Sequence, residues 1–373
     1  MQIESISLYY VGMPLVYPFR TAFGNDDAIE SILVKICADG LVGWGEAAPW
    51  RNPAYSPESA AGCFLTAKKF LAPLLLGKNI SSGEELQEIF ACVKGNSFAK
   101  AGFDLAYWDL YAKSLNKPLW QVIGGKTPEI AAGADFGIME SFDLLLDTIE
   151  QAVAAKYKRV KLKYRPGWEL DMLTAVRRRF PDLPIHVDCN SAYTLDDLDM
   201  LLELDNFNLE MIEQPLMYDD LIDHAVLQKR LKTPVCLDES ITSPSKARKA
   251  AQIGACSYMN IKPGRVGGIT NALKIHDIAE RNNIPCWVGG MLESAVGAHF
   301  CMALATLPNI KYPSDIFPTE RFFKRDLGLP EPAHSSPSHF TAPSVPGVGA
   351  EPDPEMLDRL KIAEEHFSAY GLK

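Results

Sequence analysis

Five ionisable residues recur at an almost constant spacing in this 373-residue chain: Lys163, Asp188, Glu213, Asp238 and Lys262. The successive intervals are 25, 25, 25 and 24 residues, which suits one strand-and-helix unit of a barrel. Each residue lies near the C-terminal end of a predicted strand, where barrel enzymes carry their chemistry. The spacing therefore predicts three carboxylates gathered at one barrel mouth, with a lysine on either side.

Three carboxylates that converge from neighbouring strands offer the hard oxygen ligands that Mg²⁺ prefers. We therefore expect a Mg²⁺ site at Asp188, Glu213 and Asp238, with Mn²⁺ as an alternative ion. A lysine must lose its proton before it can act as a base near neutral pH. We expect the ion and the neighbouring ammonium groups to depress the pKa values of the lysines.

A second lysine, Lys161, stands two residues before Lys163 in the stretch "RVKLKYRPGWE". Residues i and i+2 of a strand share a face, and at an effective dielectric constant near 20 their ammonium groups would repel each other by about 2–3 kcal/mol. A chemical role would explain such a pair. The competing structural explanation is an exposed edge strand that is protected by charge.

Each residue alone also has an ordinary structural explanation. A single acid at a strand end is commonly a helix cap or a solvated loop residue, although five residues in one phase are hard to obtain in that way. His186 shares a strand face with Asp188, and a hydrogen-bonded histidine in the barrel interior is favoured over a metal ligand. The stretches "GRVGG" and "VGGML" are weak signals for phosphate binding, and loop geometry is the favoured explanation.

The N-terminal part of the chain predicts an α+β unit. Strands are expected in "IESISLYYVGMPL" and "ESILVKICADGLVGWGEAAP", and "ADGLVG" is a hairpin signal. Three helical runs follow, and serines before the first two are candidate caps, with Gly77, Gly95 and Gly124 as candidate stops. We assign residues 1–128 to a capping domain. The tail, 316–373, is expected to return to this domain and to end in a helix, "DPEMLDRLKIAEEHF".

Residues 129–315 alternate short apolar runs with amphipathic helices, which favours a closed (β/α) barrel over an open sheet. The fold class is thus α/β, a modified TIM-type barrel with an α+β capping domain. Eight candidate strands are present: "IAAGADFGIM", "RVKLKY", "PIHVDCN", "LEMIEQP", "PVCLDES", "SYMNIKP", "PCWVGGM" and "IKYPSDI".

Composition narrows the classes of partner. A net charge of −10 argues against nucleic acid or an anionic membrane, and no apolar run is long enough to span a bilayer. No signal peptide is recognisable at the N-terminus. Eight cysteines without a CxxC pair indicate buried, reduced thiols. We expect a cytoplasmic homo-oligomer that acts on a small carboxylate.

These residues and motifs resemble the enolase superfamily. The branch is the muconate-lactonizing-like one, which includes o-succinylbenzoate synthases and N-acylamino acid racemases. The resemblance spans nearly the whole chain and is carried by "PFRTAFG", "GWGEAAP", "AYWDLYAKSLNKPLWQVIGG", "VKLK", "VDCNSAYT", "MIEQPL", "CLDESI", "NIKPGRVGGIT" and "VGGMLESAVG". It implies a capping domain over a modified (β/α) barrel, with Mg²⁺ as cofactor.

The resemblance also implies roles for individual residues. Asp188, Glu213 and Asp238 match the metal ligands, Lys163 and Lys262 match opposed acid/base residues, and Lys161 matches a cation at the substrate carboxylate. Capping segments around Phe19–Phe23 and Trp50–Tyr55 would close over the substrate. Substrate-binding or supporting roles are implied for Asn190, Glu239, Arg265, Met291, Glu293, Asp135, Phe23 and Tyr55. Asp135 departs from the family pattern, in which a small or hydroxyl residue is common.

The activity implied is o-succinylbenzoate synthase. This is the Mg²⁺-dependent syn dehydration of 2-succinyl-6-hydroxy-2,4-cyclohexadiene-1-carboxylate in menaquinone biosynthesis, through abstraction of the α-proton and an enediolate. Lys163 would take the proton, and Lys262 would act as a cation over the ring. Racemisation of N-acylamino acids, alone or as a second activity, is the alternative. A non-catalytic metal-binding barrel is the alternative from outside enzymes.

Overall fold

The computed structural model describes residues 1–21 and 24–369. The chain begins with three strands, β1 (Ile3–Thr21), β2 (Gly24–Ala38) and β3 (Leu41–Ala47), which pair antiparallel in this order. Asp39 and Gly40, with φ of 50° and 74°, join β2 to β3. Two residues of positive φ form the tight hairpin turn that matches strand twist. The hairpin predicted at "ADGLVG" is confirmed.

Helices cover one face of this sheet. They are α1 (Ala60–Thr66), a π-helical turn (Ala67–Leu71), α2 (Ala72–Leu75), α3 (Gly83–Ile89), a 3₁₀ turn (Phe90–Cys92), α4 (Ser97–Ser114) and α5 (Leu119–Val122). Ser59 and Ser82 cap α1 and α3 through their side chains. Gly43 and Gly45 of β3 lie against the backbone of α4, where a β-carbon would collide with carbonyl oxygens. These glycines therefore allow the long helix to pack closely on the sheet.

The barrel alternates strands with helices. After β4 (Glu129–Ala131), which lies outside the barrel sheet, the elements are β5 (Ala134–Phe136), α6 (Phe142–Ala154), β6 (Val160–Lys163), α7 (Glu169–Arg179), β7 (Ile185–Asp188), a 3₁₀ turn (Leu195–Asp197), α8 (Leu198–Glu203), a second 3₁₀ turn (Leu204–Phe207), β8 (Ile212–Glu213), α9 (Ile222–Arg230), β9 (Val235–Leu237), α10 (Pro244–Ile253), β10 (Tyr258–Ile261), α11 (Pro263–Val266), α12 (Ile269–Arg281), β11 (Cys286–Val288) and α13 (Ala295–Ala305). Strands β5 to β11 form one parallel sheet in sequential order, as βα repeats require.

An irregular segment, residues 309–315, closes this sheet into a barrel. Ile310 bridges Cys286 at one edge, and Ser314 bridges Ala132 near the other. The predicted eighth strand thus occupies the expected place but forms isolated bridges. The predicted fold class, a modified barrel with an α+β capping domain, is confirmed.

The tail adds a 3₁₀ turn (Thr319–Arg321), β12 (Gly328–Leu329), β13 (His339–Thr341), β14 (Glu351–Pro352), α14 (Pro354–Leu360) and β15 (Lys361–Ser368). The helix expected over residues 353–367 is wrong in its second half. From Lys361 onward the chain pairs antiparallel with β1, up to the pair Ser5 and Ser368. The free edge of β1 supplies backbone hydrogen bonds there, and these override the local helical pattern.

All eight cysteines are free, as expected. Cys92 is exposed and Cys37 partly exposed, so the expectation that all are buried is wrong for these two. Among the described residues, no helix has the length and apolar character needed to cross a membrane.

Candidate active site

Strand register brings the spaced residues to one level of the barrel. Lys163 on β6 is paired with Asp188 on β7, and Asp188 with Glu213 on β8. Asp238 and Lys262 come directly after β9 and β10. All three carboxylates are at most 1% exposed. The carboxyl ends of five consecutive strands therefore bring these side chains to the same end of the barrel.

The two neighbouring lysines share one carboxylate. Asp188 Oδ2 lies 2.9 Å from Lys161 Nζ and 2.8 Å from Lys163 Nζ. A buried anion in contact with both ammonium groups offsets the repulsion that the sequence implied. The pair lies inside the barrel, so the alternative of an exposed edge strand is excluded.

Lys161 is held by two further carboxylates, Glu213 Oε2 at 2.9 Å and Asp315 Oδ2 at 3.3 Å. Burial by itself would lower the pKa of Lys161, but Asp188 and these two anions raise it well above its ordinary value. At Lys161 these carboxylates therefore outweigh the neighbouring ammonium group, and the depression expected from a bound ion stays a prediction. This side chain is built as a permanent cation.

Lys262 faces a different carboxylate. Its Nζ lies 2.8 Å from Asp238 Oδ2 and 4.5 Å from the centre of the Tyr55 ring. Burial acts to lower the pKa of Lys262, whereas Tyr55 and Glu213 act to raise it, and the result lies above the ordinary value. Here too the groups around the ammonium outweigh the effect of burial, and the depression expected from a bound ion stays a prediction.

Lys163 and Lys262 belong to opposite sides of the barrel. Their strands, β6 and β10, are four places apart in the sequential sheet. Four places are half of a ring that the segment 309–315 completes as its eighth member. Both side chains, with Lys161, line one cavity at the mouth. A small molecule in that cavity would present one face to each lysine.

Arg265 and Tyr55 complete the surroundings of Asp238. The Tyr55 hydroxyl donates to Asp238 Oδ1 at 2.9 Å, and the Arg265 guanidinium pairs with the same oxygen. Arg265 also donates to Tyr55 at 3.0 Å and to the Ile241 carbonyl at 2.9 Å. The predicted supporting residues Arg265 and Tyr55 thus lie together, next to one of the three carboxylates.

The buried carboxylates differ in the direction in which their pKa values are shifted. Burial acts against the charge of Asp188, but Lys161 and Lys163 hold its pKa well below the ordinary range. Burial and Asp188 act to raise the pKa of Glu213, yet Lys161 and His186 lower it to about 2. Burial and Asp188 raise the pKa of Glu239 to about 7. Asp188 and Glu213 are therefore permanent anions at neutral pH.

The donor set has the chemistry of a Mg²⁺ site, because it consists of buried carboxylate oxygens. Glu213 Oε2 and Asp238 Oδ2 have no hydrogen bond of acceptable geometry from the described residues, although each lies within ion-pair distance of a lysine. The three carboxylates are not gathered around one point. Within residues 1–21 and 24–369, only His276, Asp277 and Glu280 bring three such ligand atoms within 4.8 Å of one another.

In this cluster on α12, the two acids are exposed, whereas His276 is buried and already has hydrogen-bond partners. His276 Nε2 accepts a hydrogen bond from the Asn309 backbone at 3.0 Å, and Nδ1 lies 3.0 Å from Asp277. At the barrel mouth, lysine ammonium groups stand against the carboxylates. A bound Mg²⁺ would take over some of these contacts, and the donors present fit it.

The remaining predicted residues surround this centre. The Asn190 amide donates to Glu239 Oε1 at 3.4 Å, and Asn190 Oδ1 and Glu239 Oε2 are buried without a hydrogen bond from the described residues. Met291 offers its carbonyl to Trp50 Nε1 at 2.8 Å, which joins the capping domain to the mouth. Glu293 accepts from the Met291 backbone at 2.8 Å and does not line the mouth cavity. Phe23 lies outside the described residues.

His186 is an interior residue, as favoured from the sequence. It is fully buried, with Nδ1 3.1 Å from the Tyr312 hydroxyl and Nε2 3.4 Å from Glu213 Oε2. Burial lowers its pKa to about 4, so the ring is neutral. It supports Glu213 from below the mouth.

Sequence reasoning missed several buried partners. Asp315 pairs with Arg159 at 2.8 Å as well as with Lys161, and Asn260 donates to Glu213 Oε1 at 2.8 Å. Gly133 leaves room for the Arg159 side chain, because a β-carbon there would overlap the guanidinium. The aspartate in "YPSDI" at the end of the eighth candidate strand was the available signal for Asp315.

Comparisons with known proteins agree with this two-domain architecture. Residues 4–124 match the model of the mandelate racemase/muconate lactonizing enzyme N-terminal domain, and residues 145–356 match the enolase C-terminal domain-like model. The structure superimposes on a member of the enolase superfamily from Listeria innocua with a TM-score of 0.95 and 36% identity, covering 99% of this chain and 100% of that one.

Two curated relatives carry different activity names. An o-succinylbenzoate synthase from Geobacillus kaustophilus is 45% identical over 361 residues, 96% of each chain. An N-succinylamino acid racemase from Thermus thermophilus is 39% identical over 369 residues, 99% of this chain and 100% of that one. The chain belongs to the enolase superfamily, with the two domains of its mandelate racemase/muconate lactonizing branch.

Proposed function

We propose that this protein is an o-succinylbenzoate synthase. It would remove water from 2-succinyl-6-hydroxy-2,4-cyclohexadiene-1-carboxylate, as a step of menaquinone synthesis in a soluble, cytoplasmic setting. The observation that carries the proposal is the pair of lysines, Lys163 and Lys262, on opposite sides of a mouth lined by buried carboxylates. The relatives named o-succinylbenzoate synthase support the choice of substrate.

The contacts of the three lysines support a different role for each of them. Lys161 touches three carboxylates and stays protonated, so it can stabilise negative charge that develops on the substrate carboxylate. Lys163 touches only Asp188 among the described carboxylates. It is the side chain that would take the α-proton and return a proton to the departing hydroxyl. A positioned base of this kind contributes about 10²–10⁴-fold.

Lys262 would face the other side of the substrate ring. Its ammonium group stands over the Tyr55 ring at 4.5 Å, a contact with a π-system that supports this role. In dehydration it would stabilise charge without exchanging a proton. When bound at Asp188, Glu213 and Asp238, Mg²⁺ would act as a Lewis acid on the substrate carboxylate.

Racemisation of N-succinylamino acids is the second candidate. The same opposed lysines would then serve as two bases, one for each face of the α-carbon. The 39% identical racemase, which the chain matches over its full length, favours this possibility. Both activities use the same proton abstraction next to a carboxylate.

An assay of the purified protein with Mg²⁺ decides between them. The cyclohexadiene carboxylate and a panel of N-succinylamino acids are compared by kcat/KM. We expect dehydration to be the faster reaction, Lys163→Ala to abolish it, and the exposed-lysine control Lys69→Ala to leave it unchanged. Preference for any N-succinylamino acid by about tenfold, 1.4 kcal/mol, would replace the first candidate with the second. Absence of both activities would refute the proposed function.

A further inference from the structure

Asp135 adds one more carboxylate to the mouth. It lies on β5, directly paired with Lys161 on β6, and its side chain lines the same cavity as Lys161, Lys163 and Asn190. Its backbone carbonyl accepts a hydrogen bond from Arg321 at 2.9 Å, which fixes the strand at this point. Asp135 is therefore held in place at the wall of the reaction cavity.

The Asp135 carboxylate has an unused acceptor. Its Oδ1 is buried and receives no hydrogen bond from the described part of the chain. The neighbouring Asp315, by contrast, is paired with both Arg159 and Lys161. A buried acceptor without a donor is costly, and such a group in a native structure needs an explanation, such as a functional role.

We infer that Asp135 Oδ1 accepts a hydrogen bond from the amide N–H of an N-acylamino acid substrate and so favours amide substrates. The inference rests on the proposed function, because it concerns the same cavity and the same proton abstraction. An anion at this wall repels a second substrate carboxylate and attracts a donor. The amide N–H is attached directly to the α-carbon from which the lysines remove the proton.

Dehydration places a different demand on this position. The cyclohexadiene substrate also has a donor, its hydroxyl, but this group leaves as water and must gain a proton. A carboxylate that accepts the hydroxyl hydrogen works against that departure, because negative charge beside the leaving oxygen is unfavourable. Asp135 therefore assists racemisation and slows dehydration.

Binding of two unreactive ligands tests the hydrogen bond directly. N-succinyl-2-aminoisobutyrate has no α-proton and is not turned over, and its ester analogue has oxygen in place of the N–H. In calorimetric titrations with Mg²⁺, the wild-type protein should bind the amide about 10- to 100-fold more tightly than the ester, as expected for a hydrogen bond to a charged group. Because burial raises the pKa of Asp135, the titrations are made at about pH 8, well above the ordinary pKa of a carboxyl group.

Three variants isolate the cause. Asp135→Ala removes the acceptor and should abolish the preference for the amide. Asp135→Asn retains an acceptor without the charge and should keep part of it. Glu140→Gln removes an exposed charge that pairs with Arg20 and serves as the control with unchanged preference. Equal binding of amide and ester by the wild type, binding of neither, or an undiminished preference in Asp135→Ala would overturn the inference.

Turnover assays distinguish the role of Asp135 from the proposed function. In Asp135→Ala, the ratio of kcat/KM for dehydration to that for racemisation should rise by about tenfold. A ratio that stays constant or falls contradicts the role of Asp135. Dehydration by the wild type is a separate measurement. The proposed dehydration activity and the role of Asp135 can therefore fail independently of each other.

Discussion

A buried carboxylate of the capping domain, Glu46, offers a quantitative test of how the two domains are held together. It is 2% exposed and accepts hydrogen bonds from Ser294 Oγ at 2.6 Å, from the Ser294 backbone at 3.2 Å and from the Gly297 backbone at 2.9 Å. Ser294 caps α13 of the barrel. Burial raises the pKa of Glu46 from 4.5 to about 7, despite these hydrogen bonds.

The sign of the resulting pH dependence follows from the raised value. Below about pH 4.5 the group is protonated in both the folded and the unfolded protein, and its stabilising effect is complete. As the pH rises through 7, the folded protein must bury a charge that water would solvate better. A pKa raised from 4.5 to about 7 corresponds to about 3 kcal/mol of stability lost over this window.

Glu46→Gln removes the titration while keeping an oxygen acceptor for Ser294. Urea unfolding of both proteins between about pH 4.5 and pH 8 gives the difference in their free energies of unfolding. We expect this difference to shift by about 3 kcal/mol against the wild type as the pH rises. The exposed-acid control, Glu88→Gln, should show no comparable shift. Parallel curves for wild type and Glu46→Gln would refute the reasoning.

Two further predictions concern the mouth of the barrel. Asp188→Asn, Glu213→Gln and Asp238→Asn should each abolish turnover and weaken Mg²⁺ binding in calorimetric titrations, and unchanged affinity in all three would rule out a metal site there. In solvent deuterium, Lys163→Ala should lose α-proton exchange from one enantiomer of an N-succinylamino acid and Lys262→Ala from the other. Lys262→Arg should retain more dehydration than Lys262→Ala, and exchange of both enantiomers in either alanine variant would show that the lysines do not flank the substrate.

The position of the site could be predicted from the sequence because it depends on a repeating unit. Parallel strands in a barrel all end at one face, so residues in constant phase, such as Asp188, Glu213 and Asp238, must converge there. The strained backbone around them could not be predicted. Asn190 and Gln214 follow their strands with φ of 44° and 39°, a conformation that non-glycine residues hold only where surrounding structure enforces it.

Not all partners of the lysines could be predicted, because one of them, Asp315, comes from a distant part of the chain. The sequence implied that Lys161 and Lys163 needed a compensating charge, and a divalent ion was the natural candidate. The structure places Asp188 between them and adds Asp315, which is 154 residues from Lys161 in the chain. Local patterns carry no information about such a pairing. The helix prediction for residues 361–368 failed for the same reason. These residues form a strand because they pair with the free edge of β1.

The capping domain acts on the barrel through helix N-termini. Glu46 accepts from the Gly297 backbone in the first turn of α13 at 2.9 Å, and Asp104 of α4 accepts from the Thr270 backbone, at the start of α12, at 3.1 Å. Gly268 lacks the β-carbon that would displace the Asp104 carboxylate. Both carboxylates are buried, and the N–H groups and dipole at the helix N-termini offset part of the cost of burying their charge.

These two helices follow the strands whose ends shape the mouth. Helix α12 comes after β10 and Lys262, and α13 comes after β11 and the loop that carries Met291. The same loop is joined to the capping domain by Trp50. Contacts that dock the capping domain are therefore also the contacts that fix where Lys262 and this loop stand. Docking of the capping domain and assembly of the reaction cavity therefore depend on shared contacts, since Trp50 holds the Met291 carbonyl and the Tyr55 ring lies against Lys262.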